Sequence, residues 1–301
     1  MEFSSADYYK AYPPAGRLVK YCLQPHAERN SLMRKRAAPP PEAADESGDR
    51  QFIQVVARAM AVLRAFTAED SVLGNQELAA RTGLPKATVS RLTHTLTELG
   101  HLSYLPRFAK YQLGLGLVPL GQLALANLSI RQVAAPLMRL LAEETGTSVS
   151  LGSREGLSML YIEHFSPRTA VALQLGIGSR VPLGLTAMGR AHYAVAGEAE
   201  RASLDARLAE AEPDRWPEIR AGLREAVEMH AALGFTVSVG DWNRTVHAAG
   251  AAFALPNGGG TVAVNSGAPA FMLGRERILH EIGPRLAAVT RRMEALAGLR
   301  H

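Results

Sequence analysis

The 301-residue sequence predicts an α+β chain: a small head of three helices closed by a hairpin, a linker helix, and a larger mixed α/β module with a largely antiparallel sheet. Three observations predict it. Apolar residues between Phe52 and Leu99 recur at helical spacing and are punctuated by Gly83, Pro85 and Gly100. Strand-like runs occupy "TSVSLGS", "SMLYIEHF" and much of Phe235 to Asn265, with helical stretches between them. The length allows two separate cores, and a composition of 47% hydrophobic and 20% charged residues is that of a globular protein in water.

Residues 1–50 have no helical or strand periodicity. There "RKRAAPPPEAADESGD" joins Arg34, Lys35 and Arg36 to a proline run and an acidic patch, the composition of a disordered arm. The basic triplet is read as part of a solvated linker in preference to a DNA-grasping tail. A translation start at Met33 would leave the first thirty-two residues outside the native chain, which mass spectrometry of the native N-terminus decides.

Residues 51–114 form the head. Val55, Val56, Ala59, Val62, Leu63 and Phe66 make one apolar stripe with Arg58 and Arg64 outside it, predicting a first helix. Asn75 suits the N-cap of a second helix that turns Leu78 and Ala79 inward, with Gln76 at its start as an expected DNA contact. Gly83 can take the positive φ that ends it, and Pro85 opens a third helix from about Lys86. In that helix Val89, Leu92, Leu96 and Leu99 form the buried face. Lys86, Ala87, Thr88, Ser90, Arg91, His94 and Thr95 point outward with no acidic residue before Glu98. A face of short polar and basic side chains fits DNA, because a carboxylate there would repel phosphates while Arg and Lys reach guanine edges and phosphate oxygens.

After Gly100, "HLSYLPRFAKYQLG" alternates around a turn at Arg107 to Lys110, predicting a two-stranded hairpin that carries two cations. Three helices and such a hairpin make a winged helix-turn-helix. Lys86, Thr88 and Arg91 are then the groove contacts, and Arg58, Arg107 and Lys110 lie on phosphate. Charge agrees: of a net +5, residues 51–114 hold seven Lys/Arg against four Asp/Glu, whereas 129–301 hold eighteen against seventeen.

Leu115 to Ala126 is apolar and helix-forming and is read, with its flank to residue 128, as a linker helix. Ile130 to Thr145 is an amphipathic helix stopped at Gly146. "TSVSLGS" and "SMLYIEHF" pair across "REGL", and "AVALQLGIGSRVPL" is a further extended segment. Helices return at Thr186 to Ala196 and Pro217 to Leu233. Strands follow at Phe235 to Val239, Val246 to Leu255 and Thr261 to Asn265, and a last helix runs from about Arg275 to Leu299. Such a module, residues 129–301, commonly holds a small ligand.

Several chemistries are excluded. Cys22 is the single cysteine, so no intramolecular disulfide or thiolate cluster forms. "GIGSRV" has Val181 where a dinucleotide fingerprint needs its third glycine, and "GLTAMGR" lacks the Lys-Ser/Thr of a phosphate loop. His164, His192, His230, His247, His280 and His301 match no metal-ligand spacing, and no G-x-S-x-G elbow surrounds Ser153, Ser158 or Ser266. No catalytic residue, metal or cofactor is therefore expected. Nor is a membrane partner, since no run spans a bilayer and no signal peptide is seen, and the chain is expected to be cytoplasmic. Thr186 capping a helix whose first residues are Ala187, Met188 and Gly189 suits an anion at its free amides, and equally suits close packing.

From Phe52 to Leu299 the chain resembles the IclR family of bacterial transcriptional regulators. The resemblance rests on "VVARAMAVLRAF", "QELAARTGLPKATVSRLTHTLTELGHL", "SRVPLGLTAMGRA", "GFTVSVGDWNRTVHAAGAAFAL" and "AVNSGAPAF", in that order. It implies homodimers or homotetramers on double-stranded operator DNA, and a GAF-like effector domain for small organic or aromatic acids. It also implies a pocket lined by Leu173, Val181, Thr186, Ala187 and Met188 from one side and Ser238, Asp241, Val246, Ala248, Asn265 and Gly267 from the other. Ala248 and Ser238 stand where some members have the cysteine and aspartate that recognise small oxo-acids, which implies a different effector, larger or more apolar. Ala252 replaces a common proline. Two rival readings are an enzyme with an appended winged helix, and an interaction module whose helix-turn-helix only dimerises.

Overall fold

The computed structural model describes residues 52–67, 70–167 and 175–298. The N-terminal arm with Arg34 to Arg36, most of "AVALQLG", and Leu173 lie outside the described residues.

The head contains α1 (Gln54–Arg64), α2 (Asn75–Thr82) and α3 (Lys86–Glu98), followed by the antiparallel hairpin β1 (Leu102–Leu105) and β2 (Lys110–Leu113). Val62, Phe66, Leu73, Leu78, Val89, Leu92, Leu96 and Leu102 form a core of its own. Gly83 ends α2 at φ 68° with its N–H on the Ala79 carbonyl, and Pro85 caps α3, so the chain turns between the two helices within three residues. Leu73 exchanges backbone hydrogen bonds of 2.9 and 2.8 Å with Tyr111, which ties the hairpin to the start of α2.

Local details differ from the sequence reading. Val55 and Val56 are 58% and 56% exposed, because the core reaches back only to Ala59 and the first turn of α1 stands clear of it. Asn75 is the first helical residue, not the cap. Gly74 holds that place with its N–H on Glu77 Oε2 at 2.6 Å, and Asn75 Oδ1 instead accepts from Thr93 Oγ1 at 3.1 Å. Thr93 is buried while Leu99 is 49% exposed. Positions 89, 92, 93 and 96 follow the 3.6-residue period, and Leu99 falls off it at the helix end.

Next come α4 (Leu117–Ala126), in which no residue is buried, and α5 (Ser129–Thr145), closed by Gly146 at φ 67°. The sheet contains β3 (Ser148–Glu155), β4 (Ser158–Phe165), β5 (Arg180–Pro182), β6 (Thr236–Val239), β7 (Val246–Ala254) and β8 (Thr261–Pro269). Their spatial order is β5-β4-β3-β8-β7-β6, and every pairing is antiparallel. Between β5 and β6 run α6 (Ala187–Val195), α7 (Glu198–Ala211) and α8 (Trp216–Leu233), and the last described element is α9 (Gly283–Gly298).

Alternation along the strands splits the core in two. Val149, Leu151, Ala249, Ala251 and Phe253 pack with α5 and α9, whereas Met159, Tyr161, Ala252 and Ala263 pack with α6, α7 and α8. The α7 helix is a correction: its sequence is mostly alanine and charge, and Leu204 and Leu208 are its buried residues, so its apolar stripe is faint. β8 runs past Asn265 to Pro269, and the final helix is interrupted by a π turn at Ile278–Ile282.

Candidate nucleic-acid interface and ligand pocket

Leu92, Val89 and Leu96 fix the orientation of α3, and the opposite face is open. Lys86, Ala87, Ser90, Arg91, His94 and Thr95 are exposed and Thr88 is half-buried. No acidic side chain lies in the first turn, where the helix dipole itself favours an anion. The side chains of Lys86 and Arg91 have no ion-pair or hydrogen-bond partner among the described residues. Thr95 Oγ1 is engaged within the helix, donating to the Arg91 carbonyl at 3.0 Å. Gln76 and Arg58 are exposed on α2 and α1. Arg107 lies at the hairpin turn with its guanidinium carbon 5.6 Å from the Phe108 ring centroid.

Lys110 is placed differently from the sequence reading. It begins β2 and not the turn, and its Nζ is 2.8 Å from Glu77 Oε1. Before it reaches a phosphate it must leave that carboxylate. The Lys110 ammonium and the Gly74 N–H together hold the Glu77 carboxyl below the usual glutamate value. A depressed folded-state pKa stabilises above the unfolded value, and the contribution is lost as pH falls through the folded one. Glu77→Gln is therefore expected to remove part of the acid sensitivity, so that thermal melts of wild type and variant differ near neutrality and converge below about pH 4.

The second cluster forms beside the N-terminus of α6. Val181, Thr186, Ala187, Ser238, Val246, Ala248, Asn265 and Gly267 come together, joined by Tyr161, Leu175 and Trp242. Those last three were missed by the sequence reading, although a tryptophan in the "GDWNR" turn between two strands was a signal. Met188 and Asp241 do not line it. Met188 is fully buried in the core beneath, and Asp241 Oδ2 takes the Arg190 guanidinium at 2.9 Å and the Val239 N–H at 3.1 Å.

Two of the pocket hydroxyls are already committed. Thr186 Oγ1 donates to the Pro182 carbonyl at 2.7 Å while accepting from Gly189 N, and Ser238 Oγ donates to the Leu185 carbonyl at 2.9 Å. The polar handle that is left is Tyr161 with Asn265. Asn265 Nδ2 donates to the Tyr161 hydroxyl at 3.1 Å, and its buried Oδ1 has no partner among the described residues. Burial pushes the Tyr161 phenol up, so it stays protonated. The space among these residues is about 20 Å³, room for about one water, so a larger ligand has to part the walls. Among the described residues no group of His, Cys, Asp and Glu gathers as a metal site.

Comparison with known proteins places both clusters in context. A family model described as the IclR helix-turn-helix domain matches residues 55–106, and one described as the bacterial transcriptional regulator IclR C-terminal matches residues 122–292. The HTH-type transcriptional regulator TsaQ1/TsaQ2 of Comamonas testosteroni is 34% identical over 208 residues, 68% of this chain and 74% of that protein. Two further curated regulators are matched over 61% and 54% of their own lengths. A crystal structure of an IclR family transcriptional regulator from Brucella abortus is 40% identical with a TM-score of 0.76, covering 85% of this chain and 96% of that one. A second, an IclR homolog complexed with 4-hydroxybenzoate from Microbacterium hydrocarbonoxydans, shares the fold at 20% identity and a TM-score of 0.62, covering 81% and 99%.

Proposed function

The chain belongs to the IclR family of DNA-binding transcriptional regulators, and from that premise we propose that it binds a pseudo-palindromic operator as a homo-oligomer and responds to a small organic or aromatic acid. It is a regulator and not an enzyme, as its relatives are. Residues 51–114 serve as the DNA-binding domain, 115–128 as the linker and 129–301 as the effector domain, in the control of a catabolic operon. The observation that carries the DNA reading is the solvent-facing side of α3, free of acidic residues from Lys86 up to Glu98, with the Lys86 and Arg91 side chains unpaired among the described residues. Uncovered apolar residues on α1 and α4, among them Val55, Val56, Leu120 and Leu123, support a self-association surface.

The effector reading draws on the Tyr161–Asn265 pair, the amides at the start of α6 and the apolar walls from Val181, Trp242 and Val246. The 4-hydroxybenzoate complex of the Microbacterium homolog supports it by fold. An acid would meet the α6 N-terminus with its carboxylate and offer Asn265 Oδ1 a donor. Occupancy shifts DNA affinity only as far as the ligand prefers one conformation over another. No helix among the described residues is long and apolar enough to cross a membrane, which accords with action in the cytoplasm.

Fluorescence anisotropy with promoter DNA across a salt series tests the proposal. Affinity is expected to fall linearly in log–log form, and Lys86→Ala to flatten the slope by about one ion per subunit. An unchanged affinity as salt rises would remove the phosphate contacts and the interface with them.

A further inference from the structure

A second cavity, about 440 Å³ in volume, lies between α8 and β6 and shares no lining residue with the effector pocket. Its size is that of a small-molecule site. At its base is Arg190, whose side chain is only 9% exposed. Nη1 donates to Asp241 Oδ2 at 2.9 Å and to the Val237 carbonyl at 3.0 Å, and Nε reaches the Gly184 carbonyl at 3.4 Å. Nη2 has no partner among the described residues.

The space beside Nη2 is kept open by Gly222 on α8, where a Cβ would sit 2.5 Å from that nitrogen. Glu218 and Glu225 lie four residues before and three after Gly222, so they flank the guanidinium one turn to either side. Glu218 is held by Arg215 at 3.3 Å, but Glu225 and Arg275 at the rim have no ion-pair partner among the described residues.

A guanidinium that is 9% exposed as a whole and keeps one N–H edge without an acceptor, open to the cleft, favours an anion. Three carboxylates line the cleft against two guanidiniums, so a simple anion meets repulsion there. A ligand carrying both charges satisfies both demands. We propose that this cleft is a second ligand site, for a small zwitterion of the α-amino acid class, with its carboxylate on Arg190 Nη2 and its ammonium on Glu225.

The test is a thermal-shift panel of the common L-amino acids on the full chain, followed by calorimetry with the best of them, with its desamino acid, and with its decarboxylated amine. One amino acid is expected to bind at one site per chain, and both truncated analogues to bind at least about tenfold more weakly, as expected for losing a charge-assisted contact. Glu225→Gln, a surface change, should weaken binding by about tenfold, and Gly222→Ala should abolish it. Asn265→Ala, in the other pocket, should leave it intact. The idea is overturned if no amino acid binds, if the desamino acid binds as well, or if Asn265→Ala abolishes binding while Glu225→Gln does not. The Glu225→Gln result decides even where Gly222→Ala does not fold, and none of these readouts depends on DNA.

Discussion

Arg91→Ala is expected to lower operator affinity by about 1–3 kcal/mol in each half-site and to relax the preference at one base position. Arg91 stands one turn into α3, exposed, without a carboxylate to satisfy it, and on the side opposite Val89, Leu92 and Leu96. A guanidinium so placed can read guanine O6 and N7 with two parallel hydrogen bonds. Arg91→Lys should therefore keep most of the non-specific affinity while losing the discrimination, since an ammonium is a point charge without the fork. The measurement is affinity against a set of single-base operator variants at fixed salt. Equal weakening on every variant would make Arg91 a phosphate contact, and base reading would pass to Lys86 and Thr88.

Gly250→Ala is expected to destabilise the sheet module by about 1–3 kcal/mol or more, read as a lower urea midpoint with an unchanged slope. Gly250 pairs with Thr236 on one side and Asn265 on the other, in the middle of β7. Helix α6 is drawn onto it, because Thr236 Oγ1 donates to the Ala187 carbonyl at 2.8 Å. A Cβ at 250 would overlap that carbonyl oxygen and come within 2.8 Å of Met188 N. Both obstacles are backbone and neither can swing aside. The relief available is a shift of the α6 N-terminus, whose Thr186 and Ala187 line the cavity proposed for the effector, so binding there should weaken together with stability. A midpoint equal to wild type would mean that strand and helix separate at little cost.

Much of the head was legible because its signals are local. Gly83, Pro85 and Gly100 mark helix ends through backbone conformation alone, and the polar face of α3 follows from counting residues along one helix. Where partners come from far away the reading thinned. The Lys110–Glu77 pair joins residues thirty-three apart, and nothing near Lys110 announces it. Val55 and Val56 carry the right spacing for a core stripe, but burial depends on whether another helix reaches that turn. The pocket shows the same division. Val181, Thr186, Ala187, Ser238, Val246, Ala248, Asn265 and Gly267, named from the resemblance, do line one cavity. Tyr161 enters only once β4 is paired into the sheet, and Asp241 was lost to an arginine fifty-one residues away.

The strand order also governs what the molecule avoids. Among the described residues the sheet is bounded by its two shortest strands, Arg180–Pro182 and Thr236–Val239, while the nine-residue β7 and β8 lie inside. One border ends in a proline, which has no N–H to offer a newcomer. Copies crowded together at high concentration thus find little backbone to zip against, and runaway side-by-side stacking into fibrils is discouraged by the arrangement of the chain itself.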